Sequence, residues 1–476
     1  ALMISECTFT SNAGDTGTKA GALYVQANSA AARTNVYLYK CTFTSNSAAS
    51  YGAVYAQAHS MQVESTSFTS NSSTGEGGVI TFEFDGKEGS PSFKVTDSTF
   101  TSNTAQVTVS DINVLGEASS DHSAELSIKN TTFKSSTVSP GSGSIIKVES
   151  VSLVLKSAVI SGCTFSGASL KDGSGVLYLS YKSGVFQFQS STIQSINTVD
   201  GTYLLYSDIT ESSSYAELSN LTVSSCTGES GIKLSYSVVK MSSCTFTSNS
   251  GGSVIQSLGG SFTDSASTFK SNSGDDGIIY DADSEASATF TGSTFASNKA
   301  TSTGGVARIA EEGTKLTLDG VTATENTASE KGGVVYCKDK ATLTVKGTSA
   351  FTYNKADKGS AFYFLVNGSI ESTITSATLA NNRGEGVVYL SESYVKISTS
   401  KISSNEIASF DDSSPGIYGV TSKITLISNT FSNHTSTTGA FLIGQLNTVI
   451  TDSSSTYDLG YAKSLGGILF LLESNA

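Results

Sequence analysis

The sequence predicts an all-β fold: a right-handed single-stranded parallel β-helix (a solenoid) of about 17 coils, with three short strands per coil. A Phe-x-x-Asn phrase recurs along the chain at an average period of about 28 residues. A glycine-led apolar segment alternates with that phrase. Only three of the 476 residues are Pro, which suits stacked strands because Pro lacks a backbone donor.

The Phe-x-x-Asn phrase marks one position in each coil. We expect the Phe to fill the core and stack on its neighbours. We expect the Asn to lie at a corner, where it tolerates left-handed backbone angles, and to bond the equivalent amide one coil away. The members of this structural ladder include Phe9, Phe43, Phe68, Phe100, Asn12, Asn46, Asn103, Asn249, Asn272 and Asn298. Softer copies carry Asn326, Asn382 and Asn405, and Phe133, Phe165, Ile193, Val223, Phe431 and Tyr457 mark slots without the Asn.

Two further segments complete each coil. One is glycine-led, as in Gly52-Ala53-Val54-Tyr55, where Gly supplies a positive φ or a close backbone approach. The other alternates and ends in an apolar residue five positions before the Phe slot, as Leu38 does before Phe43. Because positions i and i+5 of one strand point to opposite faces, a corner must intervene. Ser, Thr, Asp and Asn fill that corner through local hydrogen bonds, as at Asp97-Ser98.

The repeat predicts one continuous β-helix over residues 1–476, with an irregular insertion coil at 106–122. The chain starts inside a repeat and stops in the apolar run Ile468 to Leu472, although solenoids need polar caps. We therefore expect a section of a longer array, or a unit that stacks end to end. Loop-like insertions at 27–34, 83–92 and 408–415 are natural places for partner contacts.

Composition narrows the class of function. The net charge of −13 argues against nucleic-acid or anionic-membrane binding. The longest apolar stretch is too short for a membrane span. The apolar fraction of 38% in a regular pattern argues against disorder.

The sequence predicts no metal site, no cofactor and no catalytic residue. His59, His122 and His434 lie in different repeats without a shared register, so we expect surface histidines. Four cysteines, Cys7, Cys41, Cys163 and Cys244, lie two positions before the Phe slot, while Cys226 occupies a different slot. Buried thiols and a Cys7–Cys41 bridge both remain open, because neighbouring strands allow the distance but set the Cβ vectors parallel.

The strongest candidates for sugar chemistry or weak calcium binding are Asp275, Asp276, Asp281 and Asp283. The residues around them in sequence are Ser, Gly and Ala, with no Arg to anchor a sugar acid. We expect solvated loop acids here.

Five Asn-x-Ser/Thr sequons predict a secreted glycoprotein. They begin at Asn71, Asn130, Asn220, Asn367 and Asn433. Asn71 also occupies the ladder position, which would compete with a glycan.

The alternation of Phe43-Thr44-Ser45-Asn46 with Gly52-Ala53-Val54-Tyr55 resembles the repeat domain of the polymorphic outer-membrane proteins of chlamydiae. It is also similar to the β-helix repeats of very large surface proteins in ciliates and other protists. The resemblance covers essentially the whole chain and implies a surface-displayed β-helix used in adhesion or surface structure.

The leading functional hypothesis is a non-enzymatic, extracellular structural or adhesive β-helix, a section of a cell-surface protein or filament. Its partners would be other protein subunits or further coils end to end, and host or surface glycans. The alternative is a carbohydrate-binding or polysaccharide-processing β-helix, which needs a groove lined with Tyr and carboxylates on one sheet. A third reading, an intracellular scaffold, differs in the glycosylation state of Asn130 and Asn220.

Overall fold

A computed structural model describes residues 1–476 except 16, 28–32, 86–88, 90, 117–122, 210, 212, 369, 408–413, 437–438, 464–465 and 474–476. The described residues form strands and no helix, and the strands stack in parallel as a β-solenoid of about 15 turns. The predicted fold class is confirmed. The predicted number of coils was slightly too high, because it counted Phe positions and a full turn also needs the other two strands.

Contacts divide the chain into two compact units, Ala1–Cys244 and Thr245–Ala476. In each unit the strands form three parallel stacks, which we call the first, second and third sheets. The first sheet holds the glycine-led segments, the second the alternating segments and the third the Phe positions. The prediction of one continuous β-helix over 1–476 stays a prediction.

The strands of the first unit pair coil on coil. The first sheet contains Leu23–Gln26, Val54–Ala58, Ile80–Phe84, Val109–Leu115, Thr202–Ser207 and Thr227–Ser235. The second contains Leu2–Ser5, Asn35–Tyr39, Ser60–Glu64, Ser92–Thr96, Ser123–Lys129, Tyr215–Ser219 and Val238–Ser242. The third contains Thr8–Thr10, Thr42–Thr44, Ser67–Thr69, Thr99–Thr101, Thr132–Lys134, Thr164–Ser166, Thr192–Gln194 and Thr222–Ser224. Short strands follow the third sheet at Ser47–Ala48, Ser72–Ser73, Thr104–Ala105 and Asn197–Val199, and two long strands, Thr137–Ser161 and Ser169–Gln189, pass through the corner between the first two sheets.

The second unit repeats the arrangement. Its first sheet contains Ser250–Leu258, Tyr280–Asp283, Ala307–Ile309, Val335–Lys338, Phe362–Leu365, Val388–Ser391, Ile417–Val420, Leu442–Gln445 and Leu469–Leu472. The second contains Ser261–Ser265, Ser287–Thr291, Lys315–Asp319, Thr342–Lys346, Glu371–Thr375, Tyr394–Ser398, Lys423–Ile427 and Val449–Ser453. The third contains Thr245–Thr247, Thr268–Lys270, Thr294–Ala296, Thr322–Thr324, Ser349–Thr352, Ala377–Ala380, Lys401–Ser403, Thr430–Ser436 and Thr456–Ala462. Short strands lie at Ser273–Gly274, Lys299–Ala300, Thr327–Ala328, Lys355–Lys358 and Arg383–Glu385.

Equivalent residues of successive coils lie in register, so like side chains form columns. Phe43 pairs with Phe68, and their ring centroids are 4.9 Å apart with planes 9° apart. Phe68 stacks on Phe100 at 4.8 Å in the same way. All three side chains are fully buried. Stacked aromatic columns therefore form the inner face of the third sheet.

The corner after the third sheet differs from the prediction in one respect. The left-handed residue is the one before the ladder Asn, as at Ser45 (φ 56°) and Ser70 (φ 54°). Ser side chains can bond the local backbone, which makes such corners accessible to them. The Asn that follows is thus free to serve as a hydrogen-bonding side chain rather than as the turn residue.

The glycine-led corners need Gly for both expected reasons. Gly332 has a φ of 66°, a conformation that L side chains rarely adopt. A Cβ on Gly52 would lie 2.9 Å from the Cα of Val79 on the next coil, closer than van der Waals contact allows.

The coil predicted to be irregular contains a strand, Val109–Leu115, which pairs in register with Ile80–Phe84. Its pairing to the following coil shifts register between Val109 and Ile112. Residues 117–122 of this coil, with His122, lie outside the described residues, as do 28–32, 86–88, 90 and 408–413 in the predicted insertions.

No helix in the described part of the chain is long and apolar enough to cross a membrane.

Candidate functional site

A column of amides runs beside the stacked Phe rings of the first unit. The Nδ2 of Asn12 donates to the Oδ1 of Asn46 at 2.8 Å, and Asn46 donates in turn to Asn71 at 3.0 Å. Asn71 then donates to Asn103 at 3.3 Å. Each Nδ2 also reaches back to a carbonyl of the preceding coil, as from Asn46 to the oxygen of Phe9 at 2.9 Å. Between side chains the column is therefore directional, because each amide donates to the amide of the following coil.

The second unit contains a longer column of the same direction. Asn272 donates to Asn298 at 3.0 Å, and Asn298 donates to Asn326 at 2.9 Å. The backbone N–H of each member also donates to the next Oδ1, as from Asn298 to Asn326 at 3.1 Å. The column passes in order through Asn249, Asn272, Asn298, Asn326, Asn354, Asn382 and Asn405. Buried polar groups need such partners, and here each amide uses both its donors and its acceptor.

Each column ends on a group that accepts instead of another Asn. In the first unit the Nδ2 of Asn103 donates to the Oδ1 of Asp111 at 2.8 Å, and Ser110 donates to the other oxygen at 3.0 Å. Asp111 is fully buried, and this burial raises its pKa to about 6. In the second unit Asn405 meets the Nε2 of His434 at 3.4 Å. Asp111 lies outside the Phe-x-x-Asn pattern, so only the structure identifies it, whereas His434 stands in the Asn position of the pattern, three residues after Phe431.

Asp275 of the predicted acidic cluster is exposed as expected, whereas Asp276, Asp281 and Asp283 are only partly exposed. Asp281 lies on a first-sheet strand, in register with Arg308 on the next coil. The Nη1 of Arg308 is 2.5 Å from the Oδ1 of Asp281 and 3.5 Å from the Oδ1 of Asp283. Burial raises the pKa of Asp281, and Arg308 opposes that shift. The expectation of an Arg-free environment was wrong because Arg308 is distant in sequence and close only through strand register.

The other two carboxylates of the cluster bond hydroxyls of the following coil. The Oδ1 of Asp276 accepts from the backbone N–H of Thr303 at 2.8 Å and from its hydroxyl at 2.6 Å. Asp275 accepts from the hydroxyl of Thr301 at 2.7 Å. Among the described residues no group of three or more His, Cys, Asp or Glu could hold a metal ion. A perturbed carboxyl pKa is typical of catalytic acids and also of structural ion pairs. Here Arg308 holds both Asp281 and Asp283, as in a structural pair.

A column of Tyr side chains lies next to this cluster on the first sheet of the second unit. Tyr336, Tyr363, Tyr389 and Tyr418 are between 6% and 9% exposed. Tyr363 and Tyr389 stack with ring centroids 5.0 Å apart, and the Nζ of Lys358 lies 5.0 Å from the Tyr389 centroid. Burial raises the pKa of Tyr363 and of Tyr389 to about 12. Rings covered to this extent do not offer an open stacking platform for a sugar.

A groove of about 330 Å³ lies on the outer face of the second sheet in the first unit. Gln62, Lys94, Thr96, Glu125 and Lys129 line it, with no Tyr among its lining residues. Lys94 and Glu125 form an ion pair at 3.2 Å. The combination of Tyr and paired carboxylates expected of a polysaccharide-processing groove is therefore not found at this place.

Apart from the exposed Cys7, the histidines and cysteines among the described residues occupy interior positions. His59 is 6% exposed and lies 3.4 Å from the Oδ1 of Asp85, and His434 is fully buried. The expectation of surface histidines was wrong for both, because each has a hydrogen-bonding partner that compensates burial. All six cysteines are free thiols, and Cys7 is the exposed one of them. The free thiol is thus the outcome at Cys7 and Cys41.

The sequons divide by exposure. Asn71 is fully buried, and its Nδ2 donates to the oxygen of Phe43 and to Asn103. That nitrogen is not open to a glycan in the folded chain, so Asn71 does not suit the predicted modification. The other four asparagines are exposed and have positive φ, and Ser369 of the third of these sequons lies outside the described residues. The exposed members are Asn130, Asn220, Asn367 and Asn433.

Comparison with protein-family models, with curated proteins and with solved structures finds no match to this chain.

Proposed function

We propose that this chain is a non-enzymatic, extracellular structural or adhesive β-solenoid that forms part of a cell-surface protein or filament. One observation carries the proposal: the ring and amide side chains that recur in each coil are buried against their equivalents on neighbouring coils. Side chains used in this way stabilise the stack and are not available to a ligand. The resemblance to surface-displayed β-helix repeats supports the same proposal.

The open faces of the outermost described coils support association with further coils. In the second unit, Leu469 and Leu471 are partly exposed, although their register partners Leu442 and Gly444 on the coil before are buried. In the first unit Phe9 is partly exposed, while its register partner on the next coil, Phe43, is fully buried. Parallel edge strands also present unpaired backbone groups to any strand that can pair with them. A coil of the same kind would cover both features.

The test compares two sets of charge substitutions on one strand of the second unit. Leu469→Lys combined with Leu471→Lys places charge at core positions of the open face. Leu472→Lys places one positive charge, against two in the double variant, at the adjacent outward position, which is 49% exposed. We expect concentration-dependent association of the unaltered chain in sedimentation velocity, with elongated particles in electron micrographs. The double variant should lose this association and the control should keep it.

Two results would overturn the proposal. One is that the purified chain stays monomeric at all concentrations and that particles of the natural protein never form end-to-end assemblies. The other is cleavage of acidic polysaccharides by the purified chain that is lost in Asp281→Ala, since this would make the Arg308 cluster an active site.

A further inference from the structure

The amide column of the second unit ends on an imidazole, and the contacts of that ring determine its protonation. The Nδ1 of His434 lies 3.2 Å from the backbone oxygen of Ala440, which can only accept. Nδ1 must therefore carry the hydrogen and donate it. In the neutral ring, Nε2 is then the acceptor, and it faces the Nδ2 of Asn405 at 3.4 Å.

The Asn405 amide cannot turn round to suit a charged ring. Its Oδ1 accepts from the backbone N–H of Asn382 at 2.9 Å and from the side chain of Asn382 at 3.0 Å. Its Nδ2 also donates to the oxygen of Leu379 at 3.0 Å. A flip would break these bonds and leave buried groups unpaired, at a cost of roughly 1–3 kcal/mol for each group.

We propose that His434 is an acid-sensitive end group of the second unit's amide column, whose protonation releases its own third-sheet strand, Thr430–Ser436, and the strand paired with it on the next coil, Thr456–Ala462. A proton on Nε2 would set two donors against each other at the Asn405 contact. It would also place a positive charge on a fully buried ring that packs on Phe441 at 5.0 Å between centroids. Both effects favour opening of these two strands, because water can solvate the charge in the open form.

Among the described residues, no charged side chain is in hydrogen-bond or ion-pair contact with the ring of His434. Burial lowers the pKa of His434 to about 4, and the bond to Ala440 opposes this shift. Tyr457 occupies an inner position on the adjoining strand, and its hydroxyl donates to Asp452 at 2.8 Å. The exposed, outward charged side chains on the elements around His434 are Lys401, Glu406, Lys423 and Asp458. Asp452 is also exposed, but it is in register with the buried Leu426 on the inner face, where it accepts from Tyr457.

The sign of the effect follows from the lowered pKa. The unfolded histidine binds its proton near pH 6.5, and the folded one binds it only near pH 4. The contribution of His434 to stability is therefore complete above about pH 6.5 and is lost as the pH falls towards 4. Between pH 7 and pH 4.5 this difference corresponds to an increase on the order of 50-fold in the population of the open form.

Amide hydrogen exchange of the full chain tests the proposal, with His434→Asn as the matched variant. The substituted Asn offers an Oδ1 to Asn405 and cannot be protonated. We expect exchange in 430–436 and 456–462, corrected for intrinsic rates, to accelerate on the order of 50-fold from pH 7 to pH 4.5. The variant should show much less acceleration. Residues 294–296, whose coil has amide neighbours on both sides, should change little in either protein. Equal acceleration in both proteins would overturn the proposal.

A second measurement does not depend on the variant folding. Selective ¹⁵N labelling of the three histidines of the unaltered chain reports both tautomer and titration. We expect one histidine with a protonated Nδ1 at neutral pH that titrates well below pH 6.5, assigned to His434 by nuclear Overhauser effects to the ring of Phe441. A protonated Nε2, or titration at the ordinary pH, would overturn the proposal.

Discussion

At the scale of single residues, two side chains of the same phrase do different work. Phe68 fills the core and stacks on both neighbours, whereas Asn71, three residues further along the chain, satisfies backbone and amide groups. Ser70 between them adopts the left-handed conformation. Three successive roles in one corner explain why this phrase tolerates little change in spacing.

The Phe column can be tested by truncation. Phe68→Ala should lower the free energy of unfolding by about 3–5 kcal/mol, because it removes a fully buried ring from between two others. Urea denaturation measures the change. Thr69→Ala on the same strand, at a partly exposed position, should cost less than about 1 kcal/mol. Similar losses for both substitutions would contradict the role assigned to the column.

Residue roles were only partly accessible from sequence. The recurrence of Phe and Asn indicates their positions, and burial of a recurring aromatic residue follows from its chemistry. The partner of Asp281 could not be found this way, because Arg308 belongs to another coil and no sequence motif links the two. Alignment of the glycine-led segments with one another places Arg308 opposite Asp281, as the strand register shows.

At the scale of elements, the amide columns depend on what closes them. The column of the first unit closes on the carboxyl of Asp111, and that of the second on His434. The two groups titrate with opposite consequences for stability. A Phe-x-x-Asn pattern predicts that a column exists and gives the position of His434, three residues after Phe431. It does not identify Asp111, because Asp111 lies on a first-sheet strand outside the pattern.

Asp111 gives an opposite pH dependence to His434. Burial raises its pKa to about 6 from 3.8, so the folded state holds the proton more tightly than the unfolded state. Its contribution to stability is complete below about pH 4 and is lost as the pH rises through 6. Asp111→Asn should therefore stabilise the chain above pH 6 relative to pH 4, by up to about 3 kcal/mol. Denaturation of both proteins at pH 4, 5, 6 and 7 measures it, and a difference that does not vary with pH would refute it.

At the scale of the whole molecule, the fold class follows from the sequence because one period governs strand, corner and core alike. The number of turns and the division into two compact units did not follow, since both depend on contacts between coils. The repeat pattern says less about the function than about the fold. Because the recurring side chains are buried inside the stack, only the composition and the exposed residues are left to indicate the function.

Exposure gives a test of the predicted extracellular location. Asn130 and Asn220 are exposed, and Asn71 is buried with its amide donating to Phe43 and Asn103. Enzymatic removal of N-glycans in ¹⁸O water, followed by peptide mass spectrometry of natural material, should label Asn130 and Asn220 and leave Asn71 unlabelled. Absence of label at all sequons would favour the intracellular scaffold. Label at Asn71 would require modification before folding.

The one-way amide column also bears on how such a chain can change length. A coil such as the one that carries Asn326 accepts a side-chain hydrogen bond from the preceding coil and donates one to the following coil. Duplication or excision of that whole coil leaves every donor matched, so recombination can lengthen or shorten the array without new compensating substitutions. The coil with His434 cannot be duplicated in this way. A copy of it between two Asn coils would interrupt the series of amide hydrogen bonds, so this coil can stand only at the end of the column.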